Sequence, residues 1–456
     1  KKYYKRMSVD GGGERQPYYT RPPKQSEVFD GKQLRKAVQR RTIDSNASSM
    51  KWYLDRARKT RRLENDAIQP RIEYSVNLHP PAAVNMKYNS SSSVCTKFVH
   101  SSVNKPRCPI NSCQWTPEGK RLITGASTGE FTLWNGLTFN FETILQAHSS
   151  AVRSMVWSHN GYWMVTGDHG GVVKYWQSNM NNLKAFQAHD ESIRDISFSP
   201  TDLKFGTCSD DGAIKLWDFE LVQEEQALKG HGWDVRCIQW HPTYPILASG
   251  SKDSLVKIWD VKSGKALTTL HGHKNMVVKV QWNQNGNWLL TGSRDQLIKL
   301  FDIRTMREFH SFRGHKREVT ALKWHPIHED LFASGAWDGA LYYWQVGQGE
   351  PIASIPVAHQ SSIWDMDWHP VGHILATASG DHTTKFWTRN RPGDTPSDYA
   401  YGQENANTGE QSSGALASGS GAGADAGGQF MSNFASNAGG NEYRGNRDMR
   451  DDRGSG

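Results

Sequence analysis

Gly230-His231, an apolar run ending at Trp240, then Ala248-Ser249-Gly250-Ser251-Lys252-Asp253 and Val256-Lys257-Ile258-Trp259-Asp260: this stretch decides the fold, because its pattern of about forty-two residues is written seven times between Thr96 and Trp387. The histidine returns at His148, His189, His231, His273, His315 and His359, in steps of 41, 42, 42, 42 and 44 residues. The aromatic that closes each unit returns at Trp134, Trp176, Trp217, Trp259, Phe301, Trp344 and Trp387. Two independent markers share one period, so the repeat is structural.

A period in the forties, four short β-rich runs per unit and a Gly-His to Trp-Asp pair resemble the WD-repeat family. The expectation is an all-β, seven-bladed WD40 β-propeller over residues 94–393. In such blades a histidine, a Ser or Thr, the turn Asp and the Trp form one buried hydrogen-bonded chain, since an orphaned buried group costs about 1–3 kcal/mol. Four units carry the set as read here: His189, Ser209, Asp211 and Trp217; His231, Ser251, Asp253 and Trp259; His273, Ser293 and Asp295 with Phe301; and His359, Ser379, Asp381 and Trp387. Unit two has Gly170 in the Asp slot and unit six Ala336 in the Ser slot. Unit one has Thr128 for Asp and lacks the leading Gly-His. Those three blades are expected to be held more by packing than by polar networks. The histidines fall one per blade, so a metal cluster is not expected. After Trp387 the chain offers no fourth strand, whereas Thr96-Lys97-Phe98-Val99 reads as one; an unpaired edge is a liability, and the early segment is expected to complete the last blade.

Five cysteines without a C-x-x-C pair fit a reducing compartment. No run of about eighteen apolar residues suggests a membrane partner, and no signal-peptide pattern opens the chain. Asn46-Ala47-Ser48 and Asn89-Ser90-Ser91 match the glycosylation triplet, which has no meaning without secretion; a first residue of Lys1 rather than Met reads as a fragment. Net charge is +8, but residues 1–72 hold 19 Lys plus Arg against 8 Asp plus Glu. The basic charge lives in the N-terminal segment, and the remainder is close to neutral.

Residues 1–28, with Gly11-Gly12-Gly13 and Pro22-Pro23, read as disordered. Residues 29–93 read as a basic, partly helical arm and connector: Phe29 to Arg41 as a short helix, a second helix from Ser48 or Ser49 through Lys59, then an irregular run to Ser93. The basic run reads either as a solvated face or nuclear-localisation patch, or as an RNA contact: single-stranded RNA is held by cations on phosphates and aromatics under bases, and Phe29 with Lys32, Arg35 and Arg40 supplies both. Within unit one, Asn135-Gly136-Leu137-Thr138-Phe139-Asn140-Phe141 places two phenylalanines in a turn, a pair expected to be exposed and to cover something. Gly125-Ala126-Ser127-Thr128-Gly129 fits the G-x-S-x-G nucleophile pattern but falls on a blade turn, not a strand-to-helix elbow. No phosphate loop, H-E-x-x-H or dinucleotide fingerprint occurs, so neither an enzyme nor a cofactor is expected. Residues 394–456, rich in Gly, Ser, Ala and Asn, read as a low-complexity disordered tail.

Strings outside the generic repeat carry a narrower resemblance: Lys97-Phe98-Val99-His100, Gly129-Glu130-Phe131-Thr132-Leu133-Trp134-Asn135-Gly136, Tyr175-Trp176-Gln177-Ser178-Asn179-Met180-Asn181-Asn182, Lys385-Phe386-Trp387-Thr388-Arg389-Asn390-Arg391-Pro392-Gly393, and the Phe29 to Arg41 arm. Together they resemble the WD-repeat subunit of the eukaryotic cleavage and polyadenylation specificity factor. The resemblance implies a nuclear protein that binds the AAUAAA-type signal of pre-mRNA beside a zinc-finger subunit and a large multi-propeller subunit, positioning it for cleavage and poly(A) addition by other 3′-end processing factors. It implies that Phe29 and Phe141 sandwich the pair formed by bases three and six, that Lys32, Arg35 and Arg40 contact RNA, and that Ile144 and Lys105 match further contacts. Gln33 stands where the family often has Arg. Two other classes compete: a substrate receptor of a cullin-type ubiquitin ligase, through Trp259-Asp260-Val261-Lys262 and Phe301-Asp302-Ile303-Arg304, and a pure protein scaffold.

Overall fold

The computed structural model describes residues 90–104 and 106–390. Within them, 28 strands form seven four-stranded antiparallel sheets arranged as the blades of a propeller. Six blades take their four strands consecutively. The seventh joins Ile363–Trp368, Ile374–Ser379 and Thr383–Thr388 to the early strand Lys97–Val103. Phe98 pairs with Trp387 and Val103 with Thr383, so the ring is fastened by its own beginning. The segment before that strand is also anchored. Ser90–Ser93 forms a 3-10 turn, Ser93 Oγ meets His328 Nε2 at 2.8 Å, and Tyr343 donates its hydroxyl to the Cys95 carbonyl at 2.5 Å. Ser90 and Ser93, at the end of the segment read as connector, are buried against blade six through Asp330 and His328.

Alternation decides which side chains fill the gaps between blades. The second strands are nearly all apolar or small, as in Leu331–Ala336 and Ile374–Ser379, and are buried along their length. Each gap is then closed by the aromatics of two neighbours: Phe312, Phe332 and Trp344 of blades five and six pack with Leu290, Leu300, Leu322 and Trp324. Fully burying one such side chain stabilises by about 1.5–3 kcal/mol. Hydrogen bonds on one face tie the blades tangentially. In the triplets Trp240-His241-Pro242, Trp324-His325-Pro326 and Trp368-His369-Pro370, the histidine Nε2 reaches the carbonyl of a turn glycine in the following blade: Gly286 at 2.9 Å, Gly372 at 2.9 Å and Gly119 at 3.1 Å. Burial holds His325 down to about 3 and His369 to about 4, so both rings are neutral and donate to those carbonyls.

The inner strands surround a central channel with a cavity of about 310 Å³. Partly buried charge pairs line it. Lys279 reaches Asp195 two blades away at 3.2 Å, and Lys323 reaches Asp367 at 3.0 Å. Burial alone would lower the Lys279 ammonium, but Asp195 and Asp365 outweigh it and raise its pKa. All five cysteines are buried and none forms a disulfide.

Candidate nucleic-acid interface

The polar chain inside each blade is present, with one consistent correction. In unit three, His189 Nδ1 meets Asp211 at 2.7 Å, but its Nε2 meets Thr207, not Ser209, at 2.7 Å, and Trp217 Nε1 donates to the same Thr207 hydroxyl at 3.0 Å. The hydroxyl is likewise Ser249 for His231 and Trp259, Thr291 for His273, and Thr377 for His359 and Trp387. Register explains the shift. Trp259 pairs with Leu247, so the same-face diagonal neighbour is Ser249, whereas Ser251 lies four residues along. Ser209, Ser251, Ser293 and Ser379 do a different job: each hydroxyl accepts the backbone N–H of the turn Asp, at 3.1–3.3 Å. A carboxylate only accepts, so Nδ1 carries the histidine proton; the chain runs Trp to hydroxyl to His to Asp.

The three divergent blades part company. Unit two keeps the whole network by drawing its carboxylate from two positions earlier. His148 bonds Asp168 at 3.0 Å and Thr166 at 2.7 Å, and Trp176 bonds Thr166 at 2.9 Å, so the expectation of a weakened polar network in that blade is overturned. Unit six keeps its hydroxyl, Ser334, with His315 at 2.5 Å and Trp344 at 2.7 Å. What it lacks is the carboxylate. Ala336 has no hydroxyl to hold the Asp338 N–H, Asp338 keeps only the cap on the residue two on, Ala340, that the other turn aspartates also make, and His315 Nδ1 is buried without a partner. Burial pulls that ring down to about 3, and it stacks on Tyr342 at 4.4 Å. Unit one retains only the Trp134 to Thr124 bond at 3.0 Å.

That first blade carries the exposed aromatic edge. Asn135 folds its side chain back to accept the N–H groups of Leu137 and Thr138, at 2.9 and 3.0 Å, which starts the turn. Phe139 then adopts φ 58, and this left-handed step breaks the alternation that would put Phe139 and Phe141 on one side. Phe139 drives inward: it is 0% exposed, stacks on Phe386 of blade seven at 4.1 Å, and its carbonyl accepts Ser102 Oγ of the closing strand at 2.8 Å. The expectation of two exposed rings is therefore half wrong, since Phe139 is a core wedge. Phe141 points out, 44% exposed, with its edge on Trp134 at 6.1 Å. Ile144 lies on the same outer strand, Phe141–Gln146, and is 40% exposed. Below them Glu142 takes Arg121 at 2.5 Å and Asn135 at 2.8 Å, fixing the strand by charge-assisted bonds.

Phe29, Lys32, Arg35, Arg40, the two arm helices, Lys105 and residues 394–456 lie outside the described residues. The G-x-S-x-G string is a blade turn: Gly129 has φ 88, and a Cβ there would come 2.2 Å from the His148 carbonyl oxygen. Asp260 and Asp302 cap their own turns, accepting the N–H of Lys262 at 3.1 Å and of Arg304 at 2.9 Å. Among the described residues no three His, Cys, Asp or Glu side chains are placed to hold a metal ion. Sequence reading missed the Trp-His-Pro histidines and the Phe139 wedge; the triplet itself, repeated three times, was the available signal for the first.

Fold and site together define a seven-bladed WD40 β-propeller, a fold typically used as a non-catalytic scaffold, with an aromatic edge on its most divergent blade. The WD domain, G-beta repeat model matches residues 139–177, 180–218, 222–260, 264–302, 306–345 and 349–388, which leaves the first three strands of blade one unmatched. Similar chains are named Polyadenylation factor subunit 2: that of Candida albicans is 40% identical over 403 residues, covering 79% of this chain and 74% of its own. That of Cryptococcus neoformans var. neoformans is 53% identical over 361 residues, 78% of this chain and 50% of its own, and that of Saccharomyces cerevisiae 41% identical over 364 residues, 79% and 77%. The chain belongs to this family of WD40 polyadenylation factor subunits. It spans about half the length of the Cryptococcus relative.

Proposed function

We propose that this protein is the RNA-binding WD40 subunit of a nuclear polyadenylation factor, recognising the AAUAAA-type signal of pre-mRNA as single-stranded RNA. In this reading Phe141 and Phe29 stack on the paired bases three and six. Lys32, Arg35, Arg40 and Lys105 meet phosphate or base edges, and Ile144 packs against the neighbouring nucleotide. A zinc-finger subunit supplies the remaining base contacts, a large multi-propeller subunit carries both, and other 3′-end processing factors are recruited.

The observation that carries the reading is the edge of blade one. Phe141 and Ile144 stand out from a strand whose base is locked by Glu142, and the strand that follows the basic arm bonds to the same turn through Ser102. The family name supports a role in polyadenylation. A base stacked on an aromatic contributes about 1–3 kcal/mol and does so for any nucleobase, so hexamer specificity has to come from the partner and from the base pair. The ubiquitin-ligase reading draws no such support, since Asp260 and Asp302 are occupied in capping and Trp259 and Phe301 are buried.

The test is photo-crosslinking of the chain, with the zinc-finger subunit present, to an AAUAAA oligonucleotide and to a scrambled one. Preferential crosslinking to AAUAAA, lost in Phe141→Ala, is the expected result. Equal crosslinking to both would leave a pure scaffold, and the proposal would fall.

A further inference from the structure

Each inner strand begins with a β-bulge at one mouth of the channel. The register slips between Val152 and Ser154, between Ile193 and Asp195, and between Val235 and Cys237 in blades two, three and four. The residue displaced is an arginine each time: Arg153, Arg194 and Arg236. The same position holds Asn111, Val278, Thr320 and Trp364 in the other blades, and all seven line the channel cavity. A bulge bends the strand and re-aims the side chain it displaces. Three guanidinium groups from adjacent blades are thereby gathered at one sector of the rim.

Their neutralisation is incomplete. Arg194 Nε lies 2.8 Å from both Asp210 oxygens, and Arg236 stands 3.7 Å from Asp210 and 3.2 Å from Asp234, which also takes Lys252 at 3.4 Å. Arg153 forms no ion pair among the described residues, and the Nε atoms of Arg153 and Arg236 are buried without an acceptor. Burial first, then the charge of Arg194, holds the Arg153 guanidinium below its ordinary range. At the rim four cations face two carboxylates, a local surplus of two positive charges, while deeper in the same cavity Lys279 and Lys323 are set against Asp195, Asp365 and Asp367. Next to them Trp233 is exposed, with Lys252 Nζ 6.0 Å from its ring.

We infer that this sector of the channel mouth binds the phosphoryl group of a phosphorylated serine or threonine on a partner polypeptide. A phosphomonoester brings close to two negative charges and three acceptor oxygens at neutral pH; the sector lacks that charge and has three half-buried guanidinium groups to match. Arg suits it because the planar fork bonds phosphate oxygens in pairs. A single side chain can reach the half-buried guanidinium groups of Arg153 and Arg236 while the flanking residue rests on Trp233. An RNA strand fits worse, since its successive singly charged phosphodiesters would be set against Asp210 and Asp234.

The experiment uses the full chain and a degenerate nonapeptide pool with a fixed central phosphoserine, beside pools with serine or glutamate there and a poly(U) oligonucleotide. The phosphoserine pool should be retained and the serine pool not. Arg153→Gln and Arg236→Gln should each lower retention at least tenfold, with Arg153→Lys keeping part of it. Arg153→Gln breaks no ion pair, so its melting temperature and its AAUAAA crosslinking should match the parent, which separates this site from the edge of blade one. Equal retention of the phosphoserine and serine pools, or unchanged retention by Arg153→Gln, would overturn the inference. Loss of poly(U) binding in Arg153→Gln without phosphopeptide retention would overturn it in favour of RNA.

Discussion

Blade one and blade four are built on one plan and solve it differently. Blade four closes its outer end with a complete chain from Trp259 through Ser249 and His231 to Asp253. Burial would raise the Asp253 carboxyl, but the His231 bond and the backbone N–H groups around it leave it lowered. Blade one has neither the histidine nor the aspartate and is held by a ring driven into its neighbour. The comparison teaches that the network is replaceable when apolar surface is buried in its place. It also shows where function gains room: the outer strand of blade one is free of the closing network and presents Phe141 and Ile144.

The comparison breaks most visibly at the two anchors. Trp259→Ala and Phe139→Ala should each destabilise the ring by about 3–5 kcal/mol, the range for deleting a fully buried large aromatic; chemical denaturation midpoints of the two variants should fall together. A much smaller loss for Phe139→Ala would mean that blade one does not depend on its wedge. Next comes the identity of the hydroxyl. Ser249→Ala orphans His231 and Trp259 and should cost about 2–3 kcal/mol, whereas Ser251→Ala, which frees one turn N–H, should cost about 1 kcal/mol. Reversed sizes in thermal unfolding would restore the other serine to the network.

Phe141→Ala sharpens the contrast from the functional side. Loss of one stack should weaken hexamer binding by about 10–100-fold at matched salt, with stability changed by no more than about 0.5 kcal/mol. Fluorescence anisotropy beside a melting curve separates the two effects. The pH response of blade six extends the contrast from stability at one pH to its slope. His315 sits at about 3 in the folded chain against 6.5 for the free side chain, so below 6.5 the unfolded state takes up a proton that the folded state refuses. Its stabilisation is present above pH 6.5 and is lost as pH falls towards 3, at roughly 1.4 kcal/mol per pH unit. His315→Gln should flatten that slope in urea melts taken between pH 6.5 and 5, and an unchanged slope would assign it elsewhere.

The ring was legible because two markers with different chemistry keep one period, and because only Thr96 to Val99 could supply the missing strand. The hydroxyl was misassigned because Thr207 and Ser209 occupy the same face of one strand, and a period cannot say which of them lies diagonal to the tryptophan. Asp168 was overlooked for the same reason, since its carboxylate arrives from two residues before the usual slot. Phe139 and Phe141 were read alike because one left-handed residue, invisible in the composition of the turn, sends the first ring inward. The arginine row keeps the repeat's own steps of 41 and 42 residues and was passed over because only the bulge shows that this position faces the rim. The exposure of Phe141 was read from its turn, its role and that of Ile144 came through resemblance, and the structure adds the exposure of Ile144 on the same strand; the arm residues lie outside the described chain.

The pairing of Lys97–Val103 with Thr383–Thr388 sets a timetable for biosynthesis. The strand leaves the ribosome nearly three hundred residues before its mate, a wait of about 15–60 s at ordinary translation speeds. Throughout that interval six blades can stack while the circle stays open and one sticky border looks for company. A nascent chain of this kind is a natural client for chaperones, and a stop codon that removes only the last blade strands the earliest segment as surely as the latest.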